Sequence, residues 1–418
     1  MRPWLNTHAR STFASLKVRN FRLYFLGQGI SLIGSWQQTI AQTWLIFTIT
    51  HSGTYIGLLT ATQFLPVLLL GPLGGVIADR FPKRRILYAT QTAAMLLGCT
   101  LAALVLSHSV QIWMVFVLAG LLGCVQVVDN PTRQTFILEM VGRNHLANAI
   151  TINSIEANTT RIIGPAIAGG LIATIGIGYC FLVNGLSYVA VLFCLRLMRD
   201  SELHPVKRAP RLRGQLQAGF HYVRHTRTVR NILLMMAVIG TLSYEFQVVL
   251  PVLAGKTFHH GANGYSLLMG AMGVGAVIGG IMVANKRKPT SADITTATIM
   301  FGFAMLATAA APNITLAAIG MALVGMSSIS FTVFANSVLQ LHTRPEMSSR
   351  VMALWTMCFI GSTPIGGPLL GLICEHAGAR WGLVTGGLAA LLAGGIALYE
   401  TKRPELHFST MLPEFGKD

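Results

Sequence analysis

From Leu23 to Ala78 the chain runs for 56 residues without a single Asp, Glu, Lys or Arg. Crossing the hydrocarbon core of a bilayer takes about 20 apolar residues in a helix. This run is therefore long enough for two spans joined by a short turn at His51, Ser52 and Gly53. The pattern recurs over 43 residues from Ile86 to Val128, turning at Ser107 to Ser109, and over 50 residues from Ile294 to Thr343, turning at Pro312 and Asn313. Shorter uncharged runs supply the remainder. Together they predict twelve spans, at 22–49, 54–78, 86–106, 110–131, 147–174, 177–198, 230–254, 263–285, 294–311, 314–341, 351–374 and 380–399.

Composition closes off the other classes. Charged residues make up 11% of the chain and hydrophobic residues 53%, whereas a soluble domain carries about 25% charged residues and a disordered chain is poor in apolar ones. A net charge of +17 points to nucleic acid when the basic residues form a patch; here they sit in short segments between apolar runs, so no nucleic-acid partner is expected. Cys99, Cys124, Cys180, Cys194, Cys358 and Cys374 all lie inside apolar stretches. They read as small packing residues without metal-ligand spacing. The first apolar run is too long for the core of a cleavable signal and is expected to stay as the first span.

Basic residues orient the chain. With the amino terminus in the cytoplasm, 28 of the 31 Lys and Arg fall in inside segments, Lys256 and Arg380 fall in outside loops and Arg161 falls within a span. That is the asymmetry of the positive-inside rule, and it places both termini on the cytoplasmic side of the membrane. The longest inside segment, Arg199 to Arg230, divides the chain into an N-terminal six-helix bundle over 1–198, a linker over 199–229, a C-terminal six-helix bundle over 230–400 and a tail over 401–418. Within the linker Leu212, Leu216, Phe220 and Val223 form an apolar stripe opposite Arg213, Gln217, Arg224 and Arg227. A helix lying on the inner membrane surface has this pattern; a flexible linker is the alternative.

The halves echo each other. Gly74, Gly75 and Ala78 followed by a basic cluster correspond to Gly279, Gly280 and Ala284 followed by Asn285, Lys286, Arg287 and Lys288. Gly164 and Pro165 correspond to Gly367 and Pro368, and Asn130 to Asn336. The expected fold is therefore an all-α membrane protein of twelve transmembrane helices in two pseudo-symmetric six-helix bundles, with a binding site at their interface near the bilayer midplane.

The segment Gly75, Asp79, Arg80, Pro82, Lys83, Arg84 and Arg85 resembles the signature loop of the major facilitator superfamily, with Pro82 where the pattern has glycine. Longer stretches are similar to its enterobactin-exporter-like branch, which includes macrolide efflux proteins: Asn20 to Gln28 with Gly34 to Gln38, Asp129 to Gln134, Arg161 to Pro165, and Glu245 to Pro251. The resemblance covers nearly the whole chain. It implies export of a small amphipathic solute, a siderophore or a drug, by proton antiport and alternating access, with a monomer in lipid as the working unit. The stretch from Gly164 to Gly169 partly resembles the antiporter motif of drug exporters, with Ala168 replacing one glycine. A bend is expected at Gly164 and Pro165, because proline removes a helix hydrogen bond.

Ionisable residues inside a bilayer are costly and mark function. Glu156, Arg161 and Glu245 are the candidates. Desolvation disfavours a charged carboxylate, which suits a proton carrier, and Glu245 and then Glu156 are assigned that role; the alternative is a carboxylate bonded within its own bundle. Arg161 follows Glu156 by five residues, about 140° around a helix, so the two are not expected to pair. Arg161 either attracts an anionic solute or bonds backbone carbonyls. Asp129 and Arg133 are expected to join Gly75, Asp79, Arg80 and Arg84 in a cytoplasmic gate, the alternative being solvated pairs worth little. Polar residues Gln38, Gln42, Gln63, Gln126, Asn153, Tyr244, Asn336 and Gln340 complete the expected substrate cavity. Each is as easily a helix–helix hydrogen bond as a ligand contact.

Other chemistry finds no footing. The glycines at 273, 275 and 279 lie in an uncharged membrane run and read as helix-packing positions rather than a dinucleotide loop. With no Walker motif, no metal cluster and no nucleophile–base spacing, neither a cofactor nor an enzyme activity is expected. A transporter-like sensor that does not translocate, or a lipid or metabolite transporter of the same fold, is the alternative function.

Overall fold

Backbone N–H and C=O groups in hydrocarbon have no water to bond, so a chain that enters it must satisfy them within helices. The computed structural model describes residues 14–204, 215–284, 286, 289–344, 347–359 and 361–402, and among them there is no strand. The echo at Asn285, Arg287 and Lys288, the linker residues Leu212 and Arg213, and the tail beyond Lys402 lie outside the described residues.

Five helices form the first half: α1 (Arg19–Thr50), α2 (Gly53–Arg80), α3 (Lys83–Leu106), α4 (Ile112–Thr174) and α5 (Ile177–Leu197). A short helix, α6 (Gln215–His225), leads into the second half. That half contains α7 (Arg227–Leu242), α8 (Phe246–Val252), α9 (Gly261–Ala284), α10 (Ser291–Ala310), α11 (Ile314–Leu341), α12 (Ser348–Phe359), α13 (Thr363–His376) and α14 (Ala379–Lys402). Ser52 and Asn313 cap α2 and α11, and Thr290 with Asp293 forms a capping box on α10. Call the face where α1 begins the terminal face, and the face bearing the turns after α1, α3 and α10 the hairpin face.

Two expectations change in detail. Spans 110–131 and 147–174 are joined by helix rather than loop, and only Gly142 (φ 67°, ψ 177°) leaves helical geometry inside α4. A glycine tolerates that conformation. Charges such as Arg133 and Glu139 end the apolar run but do not end a helix. Conversely, the seventh and eleventh spans are interrupted, at Ser243–Glu245 and Gly361–Ser362. Counting α4 as two limbs, α7 with α8 as one span and α12 with α13 as another, the elements account for all twelve spans. Ten segments are long and apolar enough to cross a membrane among the described residues. The two that fall short, α1 and the second limb of α4, are the most polar.

Packing follows the repeat. In the first half α2 lies along the first limb of α4 and α3 along α5; in the second, α9 lies along α11 and α10 along α14. Glycine permits the close approaches: a Cβ at Gly74 would stand 1.8 Å from the Val127 carbonyl oxygen, and one at Gly275 the same distance from that of Ala322. Leu69, Phe193 and Leu392, each more than 60% exposed, belong to the apolar exterior expected of a protein solvated by lipid. The halves meet where α2 packs on α13 and α4 on α9, two contacts related by the same pseudo-symmetry.

Substituting Gly275 with Leu is expected to force α9 off α11 and to lower the thermal unfolding midpoint in detergent, overpacking costing about 1–3 kcal/mol or more. Gly270→Leu, on the same helix but facing open space, should leave the midpoint nearly unchanged.

Candidate functional site

Glu245 and Arg161 lie near the contact between the halves, and Glu156 lies inside the first half. Glu245 stands in the break between α7 and α8, its backbone carbonyl accepting from Val248 and Val249 N–H at 3.0 and 3.1 Å. The side chain is 4% exposed. Thr363, which opens α13, hydrogen-bonds its carboxylate, while Oε1 has no protein partner. A Cβ added to Gly366 would lie 3.0 Å from Oε1, and one on Gly367 would lie 3.7 Å from Oε2 and 3.0 Å from the Gly57 carbonyl oxygen of α2. Only a glycine backbone therefore separates this carboxylate from the opposite half.

Glu156, on the second limb of α4, is 5% exposed with both carboxylate oxygens unpartnered. It faces Gly29 of α1, where a Cβ would come within 2.7 Å of Oε1. Its electrostatic neighbour is Arg133 rather than Arg161. Neither glutamate forms an ion pair among the described residues. Arg161 points elsewhere, its guanidinium lying over the Trp36 ring at 5.0 Å. Gly164 lets Trp36 into this position, since a Cβ there would stand 2.4 Å from that of Trp36. Pro165 lacks the N–H that would bond the Arg161 carbonyl, and that oxygen lies beside Gly273 of α9. The helix stays continuous through Pro165. Across the seam Tyr244 is the electrostatic neighbour of Arg161, its hydroxyl held by the Ser328 carbonyl at 2.9 Å and Thr332 Oγ1 at 2.8 Å.

The expected cavity residues divide. Gln38 is buried and accepts from Asn184 inside the first half, and Gln42 is buried on the same helix. Gln63, Gln126, Asn153 and Asn336 are half-buried. Gln340 is exposed and bonds Asn336 within α11. Gly164 and Pro165 are buried against α1.

Of the expected gate residues, Asp129 with Arg133 and Arg84 with Asp200 form separate groups on the first-half side. Asp129, 1% exposed, accepts from Thr90 at 2.6 Å and Gln91 at 2.8 Å through Oδ1 and pairs with Arg133 through Oδ2, tying α3 to α4. Arg84 pairs with Asp200, and Lys83 with Glu139. Gly75, Asp79 and Arg80 lie on the last turns of α2. Sequence reasoning missed Asp200 and Glu139 as partners.

It also missed Glu375, which ends α13 at the hairpin face. Its Oε2 accepts the Gly53 N–H at 2.7 Å, and Lys256 lies 3.9 Å from Oε1. A carboxylate thus sits on the N-terminus of α2, a favourable place for negative charge, and fastens the two halves together. Close contacts of Gly53 with Gly371, Gly57 with Gly367, Gly169 with Ser266 and Gly255 with Phe47 lie on the same side of the molecule. The seam is sealed toward the hairpin face.

The profile of a family described as transmembrane secretion effector matches residues 10–414. The chain is similar to the staphyloferrin A transporter of Staphylococcus aureus, 27% identical over 62% of this chain and 65% of that protein, so it spans just under two thirds of that relative. Similarity to the macrolide efflux protein A of Streptococcus pyogenes is 21% identity over 90% of this chain and 96% of that protein. For the enterobactin exporter of Citrobacter koseri the figures are 26%, 90% and 92%. Among solved structures, an inward-facing bacterial homologue of ferroportin shares the fold with a TM-score of 0.72 at 14% identity, over 92% of this chain and 99% of that one. An inward-facing bacterial homologue of Spinster does so at 0.71 and 14%, over 91% and 96%.

Asp129→Ala would leave Arg133 without its partner at a mostly buried position and should destabilise the first half by about 3 kcal/mol, read as a lowered denaturation midpoint in detergent. Glu375→Ala should widen spin-label distances across the hairpin face, measured between labels at Ser109 and Ala310.

Proposed function

The chain belongs to the transmembrane secretion effector family of major facilitator transporters, and from that premise we propose that it exports a small amphipathic solute, a siderophore or a drug, across a cell inner membrane by proton antiport. The terminal face is the cytoplasmic one in this reading, which the distribution of basic residues supports, and the conformation sealed at the hairpin face is the inward-facing state that loads solute. Protons, lipid and the solute are its partners, and the monomer is its working unit.

Glu245 carries the reading. It is a buried acid in a helix break, with no ion pair among the described residues and one oxygen unpartnered, set a glycine's width from the contact between α2 and α13. Burying an unpaired charge is costly while burying a neutral acid is far less so. The charge state of Glu245 thus changes the energy of the region through which the halves must part. Glu156 serves as a second proton site in the first half, close to Arg133. Asp79, Arg80, Arg84, Asp129 and Arg133 hold the cytoplasmic ends of the first half in the shape from which a gate forms when that face closes.

In reconstituted vesicles carrying an imposed pH gradient, with enterobactin and erythromycin as test solutes, Glu245→Gln should lower gradient-driven transport at least tenfold while solute exchange without a gradient persists. Full gradient-driven transport by Glu245→Gln would remove the proton assignment. No flux of either solute by the unaltered protein would remove the substrate classes.

A further inference from the structure

We infer that Arg161 and Trp36 form an oxyanion subsite in the seam, and that the exported solute is an organic anion which docks a carboxylate-like group there. The inference rests on reading the seam as the transport path, and it names the substrate class that the path would take. A guanidinium inside a membrane protein is costly unless its charge is answered. Elsewhere the answer is a carboxylate or a carbonyl: Arg133 has Asp129, Arg84 has Asp200, and Arg380, which also lies over a ring, donates to the Ala311 carbonyl. Arg161 has neither an ion pair nor a side-chain hydrogen bond among the described residues. What it has is the face of Trp36 at 5.0 Å.

That arrangement leaves a particular surface free. The ring contact uses no N–H donor, and it is the N–H edge of a guanidinium that binds a carboxylate or phosphate in two parallel hydrogen bonds. The indole face helps to hold the cation but accepts no conventional hydrogen bond in return. The nearest acid in sequence, Glu156, faces Gly29 and senses Arg133, so it does not compete for Arg161. From the second half Tyr244 stands opposite, but its hydroxyl is engaged by Ser328 and Thr332. The cation therefore lies where the halves face each other, fixed by packing from Trp36 and Gly164, with its donors uncommitted.

Binding is tested on the full-length protein in detergent, where no gradient exists, by thermal shift and calorimetry with 2-naphthoate, 2-naphthyl phosphate and citrate. The neutral isostere 2-naphthamide and the cation 2-naphthylmethylammonium serve as comparisons. At least one oxyanion should bind the unaltered protein tenfold more tightly than 2-naphthamide. Arg161→Gln should abolish that preference, and Arg161→Lys should keep part of it, since it retains charge without the fork. Melting of each variant without ligand reports folding separately, so a variant that merely unfolds is recognised, and Trp36→Phe provides a milder second variant with several-fold weaker oxyanion binding. The inference is overturned if no oxyanion binds, if oxyanion and amide bind equally, or if Arg161→Gln binds oxyanions as well as the unaltered protein. Gradient-driven flux of the cationic probe would leave the exporter reading standing while removing the anion subsite.

Discussion

Lipid offers no hydrogen bonds, and every feature of this protein answers to that fact. A helix may break at membrane depth only where protein satisfies the released groups. Ser243 ends α7 with its N–H on the Ile239 carbonyl at 2.8 Å and its hydroxyl on the Gly386 carbonyl at 2.7 Å, and the Glu245 carbonyl picks up the first amides of α8. These bonds answer part of the backbone that the break releases, and all of them lie inside the second half. The same demand explains why the two least apolar spans, α1 and the second limb of α4, pack on each other: their glutamines, asparagines, Glu156 and Arg161 find protein rather than lipid on the inner side.

Much of this was legible in the residues. Uncharged runs mark spans because each charge in hydrocarbon is costly, and the expected 314–341 and 177–198 agree with α11 and α5 to within a residue. Where the reading departed, the signal was ambiguous in kind. The charges between Asp129 and Arg143 mark the edge of the membrane, yet a helix continues past it to Gly142, since water tolerates a charged helix. The interruptions at Ser243–Glu245 and Gly361–Ser362 carry weak local marks, and hydropathy averages across them.

The site divides along the same line. Glu156, Arg161 and Glu245 stand out because ionisable residues in apolar runs are rare, and the separation of Glu156 from Arg161 follows from helical angle alone. Partners were harder. Gln38 has the composition of a cavity residue, but only the position of Asn184, 146 residues away, turns it into a bundle contact. Glu375 looks like a loop acid until its carboxylate is seen on the Gly53 amide, 322 residues distant. Spacing within one helix is encoded locally; the azimuth between two helices depends on the whole fold.

The contrast between how each half is held and how the halves are joined bears on mobility. Inside the first half, Asp129 spends its oxygens on three partners and large side chains such as Phe21, Phe136 and Met140 are fully buried together. Across the seam the close approaches at Gly53 with Gly371 and Gly57 with Gly367 are glycine against glycine, with the Glu375 carboxylate supplying a hydrogen bond at one end. At those two contacts there are no side chains to interdigitate, so the dispersion lost on separating them is modest, whereas Phe47 against Gly255 and Ile162 against Gly273 bring side chains into the seam. An equilibrium balanced in this way can be tipped by a few kcal/mol, which is the scale of one buried charge or one bound ion. On the proposed reading, a proton on Glu245 acts at the part of the seam where glycine meets glycine, and so bears on how the halves separate.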